Sequence, residues 1–198
     1  MDRRQAIKNI SLSLGYALTG STIISLFNSC TSKNTISNFN VLNDKQRFCI
    51  ENLADIIIPK SSSPGALDVN IIEFIDVMVS ETLTNKEQDI FLKGSLEFEK
   101  KINTTYEKDL FKVSKDEFQQ VLKSYFLISE EKKNAVFSLI KEDFEKVSST
   151  VKENYLIYKF LITIREFSLF GYYTSQIVTE DVLKKDSHDN YYKGCVTL

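Results

Sequence analysis

Tryptophan is missing from these 198 residues, proline occurs twice, glycine 6 times and histidine once. So few breakers leave long unpunctuated segments, which excludes a many-turned β sandwich and favours helices. A single histidine nearly excludes multi-histidine metal centres, catalytic triads and proton shuttles, all of which lean on that side chain. Three cysteines are too few for a disulfide framework or an iron–sulfur cluster. With 25 Lys and Arg against 27 Asp and Glu, no basic surplus exists to hold a phosphate backbone, so no nucleic-acid partner is expected.

Chemical motifs are equally scarce. There is no Gly-x-Gly-x-x-Gly, no phosphate loop, no Cys-x-x-Cys-His and no Glu-x-x-His of a di-iron bundle. Carboxylate pairs such as Glu130-Glu131 and Glu142-Asp143 fall on polar helix faces, and His188 lies in a polar tail. The Ser61-Ser62-Ser63 run has no base beside it. No catalytic residue, no metal site and no cofactor held by this chain is therefore expected.

What is present begins with an address. Arg3-Arg4, followed by Lys8 and a mild apolar stretch diluted with Ser, Thr and Gly, has the layout of a twin-arginine export signal. Cys30 closes that segment where a lipoprotein would be cut and acylated, which would anchor an exported, periplasmic protein to the membrane. An uncleaved anchor, plain cleavage, and a fortuitous Arg pair in a cytoplasmic protein are the competing readings. The expected organisation is a signal over residues 1–30, a polar tether over 31–42 and one domain over 43–198.

That domain reads as all-α, a single compact unit of six or seven helices. Asn43-Asp44-Lys45-Gln46, Thr84-Asn85-Lys86-Glu87 and Ser114-Lys115-Asp116-Glu117 are helix starts, and Ser129 precedes another. Cys49, Leu53, Ile56 and Ile57 form the first apolar stripe, which Pro59 ends. Ile71, Ile75 and Val79 mark the second helix, and Phe91, Gly94, Leu96 and Phe98 the third. Phe118, Val121 and Tyr125 mark a fourth; a fifth begins after Ser129 and shows Val136, Leu139, Ile140, Phe144 and Val147. Residues 151–170 are apolar around most of the helix, which predicts a buried central helix or one that also packs on a partner; Gly171 is expected to end it. Pro64-Gly65 is expected to turn the chain with Gly65 at positive φ, so that Gly65→Val costs about 1 kcal/mol or more.

Cys49 and Cys195 could form a disulfide in an oxidising envelope, or Cys49 could be a buried thiol. Two aromatic groups are candidates for a partner surface: Tyr155, Tyr158 and Phe167 on the last long helix, and Tyr172 and Tyr173 at its end. The competing reading buries the same rings in the domain's own core.

Ile56-Ile57-Ile58-Pro59, the loop Pro64, Gly65, Ala66, Leu67, Asp68, and Glu73-Phe74-Ile75-Asp76 together resemble the gluconate 2-dehydrogenase subunit 3 family, also called the small or gamma subunit. Phe91-Leu92-Lys93-Gly94-Ser95-Leu96, Gly171-Tyr172-Tyr173-Thr174-Ser175 and Tyr192-Lys193-Gly194-Cys195 extend the resemblance over most of the domain. A Pro-Gly is usual near the Tyr192 position, and this chain departs from it with Lys193-Gly194. The resemblance implies a non-catalytic subunit of an exported flavin-dependent dehydrogenase of the glucose–methanol–choline family, assisting export, assembly and stability. It implies a large flavoprotein partner carrying FAD, and a cytochrome c subunit taking the electrons. Two rivals stand beside it: a free-standing exported helical lipoprotein that binds a protein or ligand, and an enzyme whose site has no recognisable motif.

Overall fold

The computed structural model describes residues 41–183. Arg3, Arg4, Cys30, all but the last two residues of the tether, His188 and Cys195 lie outside the described residues. Helix starts are set locally. Asn43 accepts the Gln46 N–H at 3.0 Å and donates its own N–H to the Gln46 side chain at 2.9 Å, which opens α1 (Asp44–Ile57). The same reciprocal cap is made by Thr84 and Glu87 at α3 (Asn85–Tyr106), and by Ser114 and Glu117 at α4 (Lys115–Phe126). Ser129 caps α5 (Glu130–Leu139) by accepting the Lys132 N–H. Between them, α2 (Ile71–Glu81) starts at Asn70, which takes a left-handed backbone that Asn tolerates well. The long α6 (Lys152–Thr174) and a π-helical turn (Val178–Val182) complete the described chain, which contains no strand.

α6 is the axis of the bundle. Tyr155, Ile157, Phe160, Leu161 and Ile164 are all buried on it, and α1, α2 and α3 pack around it. A continuous run of rings crosses the core. Phe91 of α3 meets Phe160 of α6 at 5.1 Å between centroids, Phe160 meets Phe98 at 5.7 Å, and Phe98 meets Phe118 of α4 at 6.5 Å. Phe48 of α1 closes the run on Phe118 at 6.0 Å. Burying one such side chain stabilises the fold by about 1.5–3 kcal/mol, so these rings join four helices into one core.

The tightest contact lies at Gly94. A Cβ there would stand 2.4 Å from the Leu156 carbonyl oxygen and 2.8 Å from Phe160 Cβ, so α3 and α6 meet almost backbone to backbone. The next residue, Ser95, accepts a hydrogen bond from Gln46 Nε2 at 2.9 Å and fastens α1 to the same place. Gly-Ser in this helix is thus a packing device.

Three expectations need correction. Leu96 is exposed rather than on the buried stripe, because it lies 200° around the helix from Gly94. The fifth helix stops at Leu139 instead of running to Val147. Asp143 accepts the Glu145 N–H at 3.3 Å and pairs with Lys86 at 2.6 Å, which opens a separate 3-10 turn (Phe144–Lys146) and ends the helical path. Finally, Gly171 does not end α6. It lies inside the helix, where Phe74 and Ile71 occupy the place a side chain would fill, so glycine serves close packing there rather than termination.

Gly94→Ala is expected to lower stability by about 1–3 kcal/mol through overpacking, more than offsetting the roughly 1 kcal/mol that alanine gains in a helix interior. A urea midpoint equal to the wild type's would refute the close approach. A second expectation concerns acid. Lys108 at 2.6 Å, then the Ser114 N–H, hold the Glu117 carboxyl down at about 2 from its ordinary 4.5. A carboxyl lowered in the folded state adds stability that is fully present above 4.5 and drains away as pH falls through about 2. Glu117→Gln should therefore melt lower at neutral pH and show a flatter loss of Tm over that acid window.

Candidate partner interface

The loop that carries the resemblance is built as a corner. After α1 ends, the Ala66 N–H returns to the Ile58 carbonyl at 2.9 Å and closes the loop on itself. Asp68 accepts the Gly65 N–H at 2.8 Å with one carboxylate oxygen and the Lys60 ammonium at 2.7 Å with the other. Lys60 first, and the Gly65 N–H second, hold the Asp68 carboxyl below the usual carboxylate range. Ala66 is buried beneath, while Leu67 is exposed. Pro64 presents its carbonyl to the Tyr172 hydroxyl, which donates to it at 2.8 Å from the far end of α6. Thus Pro64, Gly65, Ala66 and Asp68 tie the α1–α2 corner to the last turn of the central helix.

Gly65 itself has φ −93°, so the expected positive φ is wrong. Glycine is needed for space instead. A Cβ would stand 2.7 Å from the Lys60 nitrogen and 3.2 Å from the Ile58 carbonyl oxygen. The strain of a larger residue comes from the folded-back backbone of residues 58–60.

Asp76, at the end of Glu73-Phe74-Ile75-Asp76, is a buried carboxylate on α2. One of its oxygens accepts the N–H groups of Val41 at 3.1 Å and Leu42 at 2.9 Å. It therefore pins the chain where it enters the domain, a role no motif announced. The available signal was position, since Asp76 interrupts the apolar stripe between Ile72 and Val79.

The five aromatic candidates separate by burial. Tyr155 is 2% exposed, stacks on Phe144 at 5.7 Å and donates to the Glu142 carbonyl at 3.3 Å. Tyr172 is 6% exposed and is spent on the loop. Both rings are buried within the domain, as the competing reading has it. A Tyr that can reach a backbone carbonyl with its hydroxyl is as well suited to the interior as to an interface. Phe167 is half-buried against the main core. Tyr158 is half-buried too, edge-on to Tyr125 at 5.2 Å, with its hydroxyl donating to the Tyr125 carbonyl at 3.3 Å. Only Tyr173, at 55% exposure, presents most of its ring to solvent, close to exposed Phe170 and Ile177.

Cys49 is a buried thiol that burial pushes up to about 12, so it is not a reactive nucleophile. The pairing with Cys195 falls outside the described residues. Among the described residues no group of three His, Cys, Asp or Glu side chains converges as a metal site. Nor is any described helix long and apolar enough to cross a membrane. The described glycines, Gly65, Gly94 and Gly171, each have neighbours close to where a Cβ would stand.

The described residues therefore define a helical module whose recognisable motifs serve packing and corner geometry. Compared with protein-family models, residues 44–186 match gluconate 2-dehydrogenase subunit 3, and the chain belongs to that family. Membership makes it an accessory subunit of a dehydrogenase complex and implies a partner subunit. Searches of the curated proteins and of the solved structures return no significant match.

Tyr172→Phe should remove one hydrogen bond to the Pro64 carbonyl and lower stability by about 1 kcal/mol. Tyr173→Ala should stay within about 0.5 kcal/mol of the wild type, as exposed positions do. Thermal melts of both variants check this; an unfolded Tyr173→Ala chain would put that ring back in the core.

Proposed function

We propose that this chain is the non-catalytic small subunit of an exported, flavin-dependent sugar or sugar-acid dehydrogenase. The observation that carries the reading is the family match across residues 44–186. The scarcity of catalytic motifs in the sequence and the packing role of the described family motifs support it. In this reading FAD belongs to a large partner of the glucose–methanol–choline family, and a cytochrome c subunit receives the electrons. This chain contributes a rigid helical surface that stabilises the large subunit.

Arg3 and Arg4 supply the export signal in the same reading. The twin-arginine route carries folded proteins, so the flavin is loaded before transport and one signal serves both subunits. Cys30 then takes the lipid that holds the assembly at the periplasmic face of the membrane.

An affinity-tagged chain recovered from its own host is expected to bring down a large flavin-bearing polypeptide. The chain alone is expected to oxidise no sugar. Recovery of a solitary chain, or unaided sugar oxidation, would overturn the proposal. Arg3→Lys with Arg4→Lys should stop both subunits from reaching the envelope, and Cys30→Ala should release the complex from membranes. Retention of the Cys30→Ala protein in the membrane fraction would indicate an uncleaved anchor.

A further inference from the structure

Helix α5 stands apart from the core. None of its ten residues is buried, and a helix of that length is marginal unless an apolar face is packed. Its inner side instead borders open space. A cleft of about 630 Å³ lies between Val136 and Leu139 of α5 and the rings of Tyr125 and Tyr158. A second, about 370 Å³, shares Tyr125, Val136 and Tyr158 with it and reaches Phe137 and Ile162. A third, about 390 Å³, shares Phe126 and Arg165 with the second and runs past Leu127 to Ile56 and Ile57. Sharing these walls, the three stand in a row as a segmented trough from α5, across α4 and α6, to the end of α1. Leu127 is 77% exposed and Phe137 55% exposed beside it, so large apolar groups stand in water along its length.

The charges around the trough are one-sided. Lys101, Lys123, Lys132, Lys133 and Arg165 line it, against the carboxylates Glu142 and Glu166. Lys133 is paired with Glu130 at 2.5 Å, and the other four cations make no ion pair among the described residues. This basic rim belongs to a chain whose formal net charge is −2. An apolar floor with a rim of one sign calls for an apolar ligand flanked by the opposite sign.

We propose that the trough seats an amphipathic segment of the partner subunit, apolar on the side that enters and acidic along its flanks. This rests on the accessory-subunit reading and adds where, and by what chemistry, the partner binds. The chain's own remaining segments do not suit. Residues 1–40 carry Arg3, Arg4, Lys8 and Lys33 against Asp2, and residues 184–198 carry three lysines against two aspartates. A second copy paired face to face through this trough would bring the same basic rim against this one and be repelled. A bilayer surface cannot enter a concave trough, whereas a helix laid in a groove can.

The test uses the full chain in cells that make its complex. A photo-crosslinking p-benzoylphenylalanine is placed at Leu127, Phe137, Tyr173 or the exposed Val77 of α2, which lines none of the three clefts. Leu127 and Phe137 are expected to capture the flavin-bearing subunit, through a peptide of apolar residues flanked by Asp and Glu. Lys123→Glu with Arg165→Glu should reduce the recovered flavoprotein at least tenfold without changing the thermal melt, and Lys123→Arg with Arg165→Lys should restore it. Phe137→Asp gives a second check that leaves the core intact, since that side chain is exposed. Capture from Tyr173 or Val77 alone, or full recovery with the charge-reversed pair, overturns the trough while the subunit reading stands. A crosslink to lipid or to another copy of this chain overturns the occupant. Absence of any flavoprotein from every preparation overturns both proposals.

Discussion

Everything in this bundle depends on how closely α3 and α6 approach at Gly94. With a Cβ position only 2.4 Å from the Leu156 carbonyl oxygen, no other residue type lets the two longest helices lie this near. That approach brings Phe91 and Phe98, either side of Gly94 in sequence, both into ring contact with Phe160. Phe98 in turn reaches Phe118, and Phe118 reaches Phe48, so a separation fixed at one glycine decides whether four helices share a core. Interiors are close-packed and transmit strain. A shift of a few tenths of an ångström at Gly94 would therefore be felt at α1. Ser95 adds direction to this packing, because its bond from Gln46 fixes where α1 crosses.

The other recognisable motifs act on the same axis. The corner at Pro64–Asp68 could swing freely about the end of α1, but the Tyr172 hydroxyl holds its carbonyl from the opposite end of α6. Asp76 holds the entering strand of backbone at Val41 and Leu42 with a single buried carboxylate oxygen. Each bond spans a long stretch of sequence, so each restrains a large part of the chain for little local ordering. A fold with few glycines and prolines needs such restraints, because its turns are not fixed by backbone stereochemistry alone.

What the sequence made legible follows from the range of the physics involved. The caps at Asn43, Thr84, Ser114 and Ser129 are local hydrogen bonds between residues three apart, so they can be read from four letters. The all-α class and the central burial of α6 follow from periodicity, which is also local. The end of α5 was hidden because it depends on Lys86, distant in sequence, holding Asp143 in place as a new cap. Gly65 was read as a φ requirement when its actual constraint is the backbone of Lys60 folded back against it. The tyrosines were the hardest. Tyr155, Tyr172 and Tyr173 are identical in letter, and what separates them is tertiary: the first two meet a backbone carbonyl from a distant segment, and Tyr173 stays exposed.

The fold also distributes its stability unevenly, and this bears on function more than any single motif. From α1 to α4 and α6, buried rings, a backbone close approach and long-range hydrogen bonds reinforce one another. α5 has caps but no buried side chain, so its local opening costs far less than global unfolding. A partner that packs on α5 then orders an element the chain alone leaves underpacked, while the core stays as it is. Binding only the folded form stabilises it by mass action. In an accessory subunit this division has a clear physical use. The rigid core fixes the geometry of the docking surface, and the loosely held helix adjusts to the segment that fills the trough, so recognition need not strain the packing at Gly94.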